Sequence, residues 1–250
     1  MNQTSFICQL LPKLHAVDLW TCVRSSLLAA NELLDEYRVT IANDLSKNGA
    51  GQTKIIPTER IAEELSVFPT SKSLLFRENS SPRDRAKFRF SYAGSVGFLT
   101  ISAKSSVSRH HFELVENLAQ KEVLVNALRR SPDYSKKFVS TATTKSQRSV
   151  THTTAPLVET PLDLIKYPGA HHRTSNQVIG VSADMWLGEN FWQHASCTKE
   201  DVLNADWLEV EKHPNHIYVK AWPHPFDSNE GEQREVQLKL LKLLFDIKEH

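Results

Sequence analysis

The sequence predicts an α+β protein with a largely antiparallel sheet, two long helices in its first half and a C-terminal helix packed on the sheet. Three observations support this fold class. Apolar residues recur with helical spacing near the start, the middle and the end of the chain. Two segments alternate apolar and polar residues on either side of a turn, which is typical of hairpins. Helices and hairpins follow one another in groups rather than in strict alternation.

The first predicted helix runs from about Leu19 to Leu45 and ends at the turn-forming sequence SKNGAG. Its apolar residues keep a spacing of three, four or seven and so share one face: Leu27, Leu34, Tyr37, Ile41 and Leu45. A short extended segment, TKII, follows. Thr58 is then expected to cap a short helix, TERIAEEL.

A hairpin and a second long helix are predicted next. KFRFSYA and VGFLTISA form the two strands, and AGSVG is the turn between them. The helix is expected from Ser108 to about Arg130, where Arg129 and Arg130 suit the negative end of the helix dipole.

The second half is predicted to be mostly strand. The Ser/Thr-rich segment 140–154 has no apolar period and is interpreted as a loop, or a lobe linker, within a single α+β domain spanning 1–250. NQVIGVSADMWLG is a predicted strand, and Thr198 with Asp201 matches a capping box. WLEVE and HIYVKAW form a hairpin around KHPN. Ser228 is expected to cap the final helix, whose apolar stripe comprises Val236, Leu240, Leu241, Leu243, Leu244 and Ile247.

Composition argues for a protein of the reducing cytosol with no general affinity for polyanions. The formal net charge is +1, from 30 basic and 29 acidic residues, so attraction to nucleic acid or to anionic membrane is not indicated. The three cysteines are widely spaced and form no disulfide framework. The first residues lack the basic segment of an export signal, and no run of about 18 apolar residues suggests a membrane span. We therefore expect a cytoplasmic location.

No catalytic residue, cofactor site or metal site is predicted. The densest histidine groups are His171-His172 and the pair His213 and His216. That pair flanks a proline in a hairpin loop instead of lying one turn apart on a helix, which argues against a zinc site. The chain contains none of the motifs GxSxG, HExxH, GxxxxGK[ST] and GxGxxG.

Four of the five tryptophans cluster in the second half: Trp186, Trp192, Trp207 and Trp222. Large aromatic side chains usually belong to a core, and this is the favoured interpretation for most of them. One or two at a rim would be good interface anchors.

Three segments carry a family resemblance. They are SRHHFELVENLAQKEVLVNALRRSPDY, GVSADMWLGENFWQHASCTKEDVLNADWL, and IYVKAWPHPF followed by a leucine-rich helix. In this order they resemble standalone immunity proteins, which accompany polymorphic toxins and type VI secretion effectors of bacteria. The resemblance is strongest from Gly180 to Phe245. It implies a cytoplasmic α+β protein without catalysis of its own that blocks a toxin acting in the cytoplasm, and it carries over no functional residues.

The leading hypothesis is therefore a non-enzymatic immunity protein that occludes the active site of a cognate toxin, with neither membrane nor nucleic acid as a partner. The candidate contacts are aromatic anchors and acidic residues that would steer a basic toxin: Trp186, Trp192, Trp207, Trp222, Glu209, Glu211, Glu230 and Glu232.

Two other functions remain open. One alternative is a small hydrolase or metal-dependent enzyme that uses His194 and Cys197 or a histidine-rich site. The other is a nucleic-acid-binding protein that uses the basic and aromatic segment Arg83–Phe90, although an edge strand with outward charges has the same pattern.

Overall fold

A computed structural model gives the structure of the protein. It describes residues 3–12, 14–29, 31, 33–42, 52–67, 73–78, 88–93, 97–104, 111–131, 133–134, 164–173 and 177–247. The Ser/Thr-rich segment 140–154 lies outside these residues, and its interpretation as a loop or linker stays a prediction.

The strands of the described chain form a sheet of ten and a separate pair. They are β1 (Gln3–Leu10), β2 (Glu36–Ala42), β3 (Gln52–Pro57), β4 (Ser73–Glu78), β5 (Phe88–Ala93), β6 (Phe98–Lys104), β7 (Leu124–Arg130), β8 (His171–Arg173), β9 (Val178–Gly180), β10 (Asp184–Gly188), β11 (Glu209–Lys212) and β12 (His216–Lys220). The order in the large sheet is β11-β12-β10-β7-β1-β6-β5-β4-β2-β3, and every pairing is antiparallel. Strands β8 and β9 pair with each other.

The helices cover both faces of the large sheet. They are α1 (Ala16–Ala29), α2 (Ile61–Ser66), α3 (His111–Gln120), α4 (Lys199–Leu203) and α5 (Gly231–Phe245), with 3₁₀ turns at Thr58–Arg60 and Glu189–Phe191. One buried cluster includes α1, α2 and α3, and a second includes α4 and α5. Side chains alternate between the two clusters along a strand, since Phe6 and Cys8 of β1 belong to the first and Ile7 belongs to the second. The α+β class, the antiparallel sheet and the C-terminal helix packed on it are confirmed.

The N-terminal strand β1 was not predicted, although it lies inside the sheet. It pairs with β6 on one side and with β7 on the other. Its residues are buried on both faces, so the apolar-polar alternation that reveals a half-exposed strand is weak in FICQL.

The first predicted helix is shorter than expected. It ends at Ala29, and the left-handed backbone of Asn31 (φ 55°) follows. The segment Glu36–Ala42 is strand β2, with the side chains of Tyr37, Val39 and Ile41 buried. Every second residue of this strand points into the core. The spacing of four between Tyr37 and Ile41 therefore fits a helical face only by coincidence.

The second predicted helix also divides into two elements. Helix α3 ends at Gln120, and Glu122 has a left-handed backbone (φ 56°) that turns the chain back. The segment Leu124–Arg130 is strand β7, which lies between β1 and β10. Arg129 and Arg130 therefore do not neutralise a helix end, because both belong to a strand.

Both predicted hairpins are confirmed, but two of the three predicted helix caps are not. KFRFSYA and VGFLTISA contain β5 and β6, and β11 and β12 enclose the predicted turn. The capping box of Thr198 and Asp201 is present. Thr58 instead donates its hydroxyl hydrogen bond to Leu34 O, and the helix start at Glu230 has no side-chain cap, since Ser228 Oγ accepts from Glu230 N at 3.2 Å.

NQVIGVSADMWLG forms two strands, β9 and β10, instead of one. None of the described helices combines the length and the apolar composition of a membrane-spanning helix.

Shortening a buried leucine of α5 tests the docking of this helix on the sheet. Leu240 is 0% exposed, whereas Leu28 of α1 is 59% exposed. We expect Leu240→Ala to lower the free energy of unfolding by about 2–5 kcal/mol, because it removes apolar contacts and leaves a cavity. Leu28→Ala, the matched control, should change it by less than about 0.5 kcal/mol. Urea denaturation measures both, and equal effects would contradict this account of the core.

Candidate functional site

The candidate site is a pocket at the end of the large sheet, beside helix α3. It has a volume of about 420 Å³. Two neighbouring strands, β11 and β12, supply most of its floor and wall, β10 supplies a tryptophan, and α3 supplies two glutamates. The described lining residues are Glu113, Glu116, Trp186, Glu209, Glu211, His213, Tyr218 and Lys220.

The pocket floor is a set of side chains that point to the same face of three adjacent strands. Trp186 of β10 is opposite Tyr218 of β12, and Tyr218 is opposite Glu211 of β11. The Trp186 and Tyr218 ring centroids are 5.1 Å apart. Two residues further along β12, Lys220 pairs in register with Asp184 of β10 and with Glu209 of β11. Its Nζ is 2.8 Å from Glu209 Oε2. The antiparallel register therefore decides which residues face the pocket.

A buried carboxylate holds Tyr218 in place under the pocket. Asp184 is 4% exposed; its Oδ1 accepts a hydrogen bond from the Tyr218 hydroxyl at 2.5 Å, and its Oδ2 lies 3.2 Å from Arg129 Nη1. Burial and the bond to the carboxylate raise the pKa of Tyr218, so the phenol stays protonated. The arrangement compensates the buried charge of Asp184 and fixes the tyrosine ring.

A tight turn brings two histidines together at one end of the pocket. His213 and His216 flank Pro214 and Asn215, and the backbone N–H of His213 donates to the carbonyl of His216 at 3.0 Å. The two imidazoles stack with centroids 4.4 Å apart and planes at 7°. Proline favours such a turn because its φ is preset. Residues three apart in sequence thus become neighbours across a hairpin.

Helix α3 places Glu116 against these two histidines. Glu116 Oε2 is 3.2 Å from His216 Nε2, and Glu116 Oε1 is 4.0 Å from His213 Nδ1. On the other side of the His213 ring, Nε2 is 3.7 Å from Glu211 Oε2. No local pattern predicts this contact, because Glu116 is about 100 residues away from the two histidines in the chain.

Burial decides the charge of His216. Its side chain is 1% exposed, and burial lowers its pKa, an effect that nearby Glu116 opposes and His213 reinforces. The neutral imidazole is therefore favoured in the folded protein, and this is the form that ligates metals.

The four predicted tryptophan contacts do not form one surface. Trp186 is 2% exposed under the pocket and belongs to the first buried cluster. Trp192, Trp207 and Trp222 are partly buried against the second cluster, on the opposite face of the sheet. Trp207 packs under Lys239, whose Nζ is 4.1 Å from its ring centroid. Only Trp186 is thus near the pocket.

The four predicted glutamate contacts separate in the same way. Glu209 and Glu211 are exposed on edge strand β11 and line the pocket. Glu230 and Glu232 are exposed at the start of α5, which packs on the opposite face. The structure therefore brings together Trp186, Glu209 and Glu211 from the predicted set, and adds Glu113, Glu116 and the two histidines.

The proposed thiol nucleophile has an unfavourable environment. Burial, and then the charge of Asp201, raise the pKa of Cys197 to about 11. A nucleophilic cysteine needs the opposite change, since the thiolate is the reactive form. Within the described ranges, no hydrogen bond connects Cys197 with His194, whose backbone N–H instead donates to Phe191 O at 3.0 Å.

The segment Arg83–Phe90 lies mostly outside the described residues. Its last residues begin β5, which is an interior strand between β4 and β6 and not an edge strand as expected. Phe90 is 1% exposed in the core, where it cannot stack on a base.

His171 of the other dense histidine group lies on β8 and accepts a hydrogen bond from Arg130 through Nδ1, which gives it a structural contact.

Comparison with known proteins reveals similarity in fold. No known protein-family profile matches the chain. A stretch of 65 residues is 29% identical to the uncharacterized protein YnaE of Bacillus subtilis (strain 168), and it covers 25% of this chain and 30% of YnaE. The structure is similar to that of the Pseudomonas aeruginosa T6SS protein PA0821, with a TM-score of 0.52 and 11% identity over 92% of this chain and 68% of that one. At this identity the similarity establishes the shared fold.

Removing the charge of Asp184 tests its role under the pocket. We expect Asp184→Asn to lower the free energy of unfolding by about 1.5–3 kcal/mol, because charge-assisted hydrogen bonds are lost inside the protein. Tyr218→Phe removes one hydroxyl and leaves the contact with Arg129, so it should cost about 1 kcal/mol. Thermal and urea unfolding give the two values. An Asp184→Asn protein as stable as the wild type would refute the assignment.

Acidification tests the lowered pKa of His216. Because the folded state disfavours the imidazolium, the unfolded state binds more protons below its ordinary pKa of 6.5. Stability from this group is therefore present above pH 6.5 and is lost as the pH falls below it. The free energy of unfolding is measured from pH 8 to 5, with a chelator present to exclude metal ions. It should fall more steeply for the wild type than for His216→Asn. Parallel curves would show that His216 keeps its ordinary pKa.

Proposed function

We propose that the chain is an immunity protein that binds a cognate toxin and neutralises it by covering the toxin's active site. The observation that carries the proposal is the glutamate-rich pocket on an aromatic floor at the exposed end of the sheet. The proposal includes the absence of catalysis by the chain itself and a toxin that acts in the cytoplasm.

The charge of the pocket favours a basic partner. Four of its described lining residues are glutamates: Glu113, Glu116, Glu209 and Glu211. The pocket lining also includes Lys220, whose Nζ is paired with Glu209 Oε2 at 2.8 Å. Since the whole chain has a formal net charge of only +1, this negative charge is a local feature. Toxins that cleave nucleic acid carry basic surfaces around the active site, and an acidic pocket would speed their association.

The floor and edge of the pocket supply what a stable interface also needs. Trp186 and Tyr218 form a rigid aromatic base, and Asp184 fixes the tyrosine through its hydroxyl. Trp186 is only 2% exposed and packs against Tyr218, so the half-buried Tyr218 is the aromatic group that a partner would cover. Rigid aromatic groups surrounded by polar residues are typical of the centre of protein interfaces. Among the described strands, β11 is the last one at this end of the sheet, so a partner can approach its glutamates directly.

The fold adds support of a general kind. The structural neighbour from Pseudomonas aeruginosa is named a T6SS protein, and it shares 11% identity with this chain. An immunity protein for a secreted effector would belong to the same biological setting.

The first experiment is affinity capture of the tagged chain from its native host, followed by purification of the captured partner. We expect a stoichiometric partner with an enzymatic toxin domain whose activity falls when the chain is added. Growth of a host that expresses the toxin should be restored by co-expression. A partner without toxic activity, or a toxin that stays active in the complex, would contradict the proposal.

Paired variants then locate the contact surface. Replacing both Glu209 and Glu211 with Gln should weaken toxin binding roughly 10-fold or more, mostly through slower association at low salt. Glu230 and Glu232, replaced in the same way, provide the matched control, because they are also exposed but lie at the start of α5. Association rates measured at two salt concentrations compare the pairs. A loss confined to the α5 variants would place the interface away from the pocket.

A further inference from the structure

We propose that Glu116, His213 and His216 form a binding site for one divalent transition-metal ion, with zinc the best match to the ligands. This site departs from the sequence expectation that the chain holds no metal. The proposal concerns the isolated chain, and its test needs no toxin.

The three side chains are spaced as ligands of one ion. One potential donor atom from each lies within 4.8 Å of the other two. Glu116 Oε2 lies 3.2 Å from His216 Nε2, and Glu116 Oε1 lies 4.0 Å from His213 Nδ1. Bonds of about 2.0–2.1 Å in a tetrahedral zinc site place neighbouring donors about 3.4 Å apart. Small side-chain rotations therefore suffice to bind an ion.

The buried nitrogen of His216 provides a second, independent observation. His216 Nε2 is buried and has no hydrogen-bond partner in the described part of the chain, although Glu116 Oε2 is only 3.2 Å away. The two atoms are thus close without the alignment of a hydrogen bond. The donor atoms of a metal site point towards one ion and not towards one another. A buried polar atom without a hydrogen bond is costly, and coordination to a metal ion would satisfy it.

Neighbouring groups suit such a site. Glu211 Oε2 lies 3.7 Å from the Nε2 of His213, the ring nitrogen that does not face Glu116. A shift of this carboxylate into hydrogen-bonding range would orient the ligating imidazole and fix its tautomer. The hairpin turn holds the two histidine backbones together through the 3.0 Å hydrogen bond from His213 N to His216 O. The ligands therefore come from two rigid elements, a hairpin and a helix.

Three protein ligands leave one position for an exogenous donor. Two histidines, one glutamate and a fourth open position are the pattern of zinc sites that keep a water molecule or bind an outside ligand. Glu116 and His213 also line the pocket of about 420 Å³, so that position is accessible from the pocket. A bare ion pair between Glu116 and a protonated His216 is the competing explanation, and it requires no metal.

The test measures metal binding by the full-length chain without a polyhistidine tag. After removal of metal with a chelator, Zn²⁺ is titrated into the protein by calorimetry, and Co²⁺ is titrated with detection of its visible absorption. We expect one equivalent of tight binding and a Co²⁺ spectrum of low coordination number. His213→Ala and Glu116→Gln should each weaken zinc binding by more than about 100-fold, since even loss of a supporting group costs 10–100-fold.

Two matched variants serve as controls. His224→Ala removes an exposed histidine outside the site, and Glu113→Gln removes a pocket carboxylate one turn from Glu116. Both should bind zinc as the wild type does, and thermal unfolding in chelator should show that all four variants are folded. Absence of a stoichiometric site, or equal weakening by His213→Ala and His224→Ala, would overturn the proposal. Unchanged affinity in both His213→Ala and Glu116→Gln would do the same.

Discussion

The position of strand β1 determines the rest of the fold. It pairs with β6 through seven residue pairs and with β7 on its other edge, so it joins the part of the sheet covered by α1 and α2 to the part that carries the pocket. Phe6 illustrates the consequence, since its ring centroid is 5.7 Å from that of Trp186 in the pocket floor. Pairing between segments this distant in sequence costs chain entropy, which the burial of both strand faces must repay. Within the described sheet, β11, β12, β10 and β7 are hydrogen-bonded to the other strands only through β1.

The geometry of the candidate site depends indirectly on this strand arrangement. Helix α3 leads directly into β7, and β7 pairs with β10, so the helix that carries Glu116 is positioned by the same sheet that positions the histidine hairpin. Gly188 contributes a close approach between these elements, because a Cβ atom there would lie 2.2 Å from Leu124 O. The distances around Glu116 therefore follow from the packing of long-range elements and not from any local motif.

Much of the secondary structure could be predicted from local pattern, but its long-range part could not. The hairpin of β11 and β12, the capping box at Thr198 and helix α5 depend on neighbouring residues and were predicted correctly. Tyr37 and Ile41 illustrate an ambiguity of local pattern, because a spacing of four is compatible with a helix and with a strand. Val39, buried between them, fits only the strand. For the site, Trp186, Glu209 and Glu211 were selected from sequence. Glu116 was not, since no local signal relates α3 to the hairpin.

The proximity of His213 and His216 follows from the sequence of the hairpin itself. The hairpin had been predicted with KHPN as its turn, and the residues that flank a two-residue turn face each other across it. His213 and His216 do not lie one turn apart on a helix, but the hairpin places them next to each other, as ligands of one ion must be.

The two proposals for the pocket are linked through charge. A divalent ion held by Glu116 would offset part of the negative charge that attracts a basic toxin, while its open position would accept a donor from the partner. Binding of metal and partner at one pocket must therefore be thermodynamically coupled, with each changing the affinity for the other by the same factor.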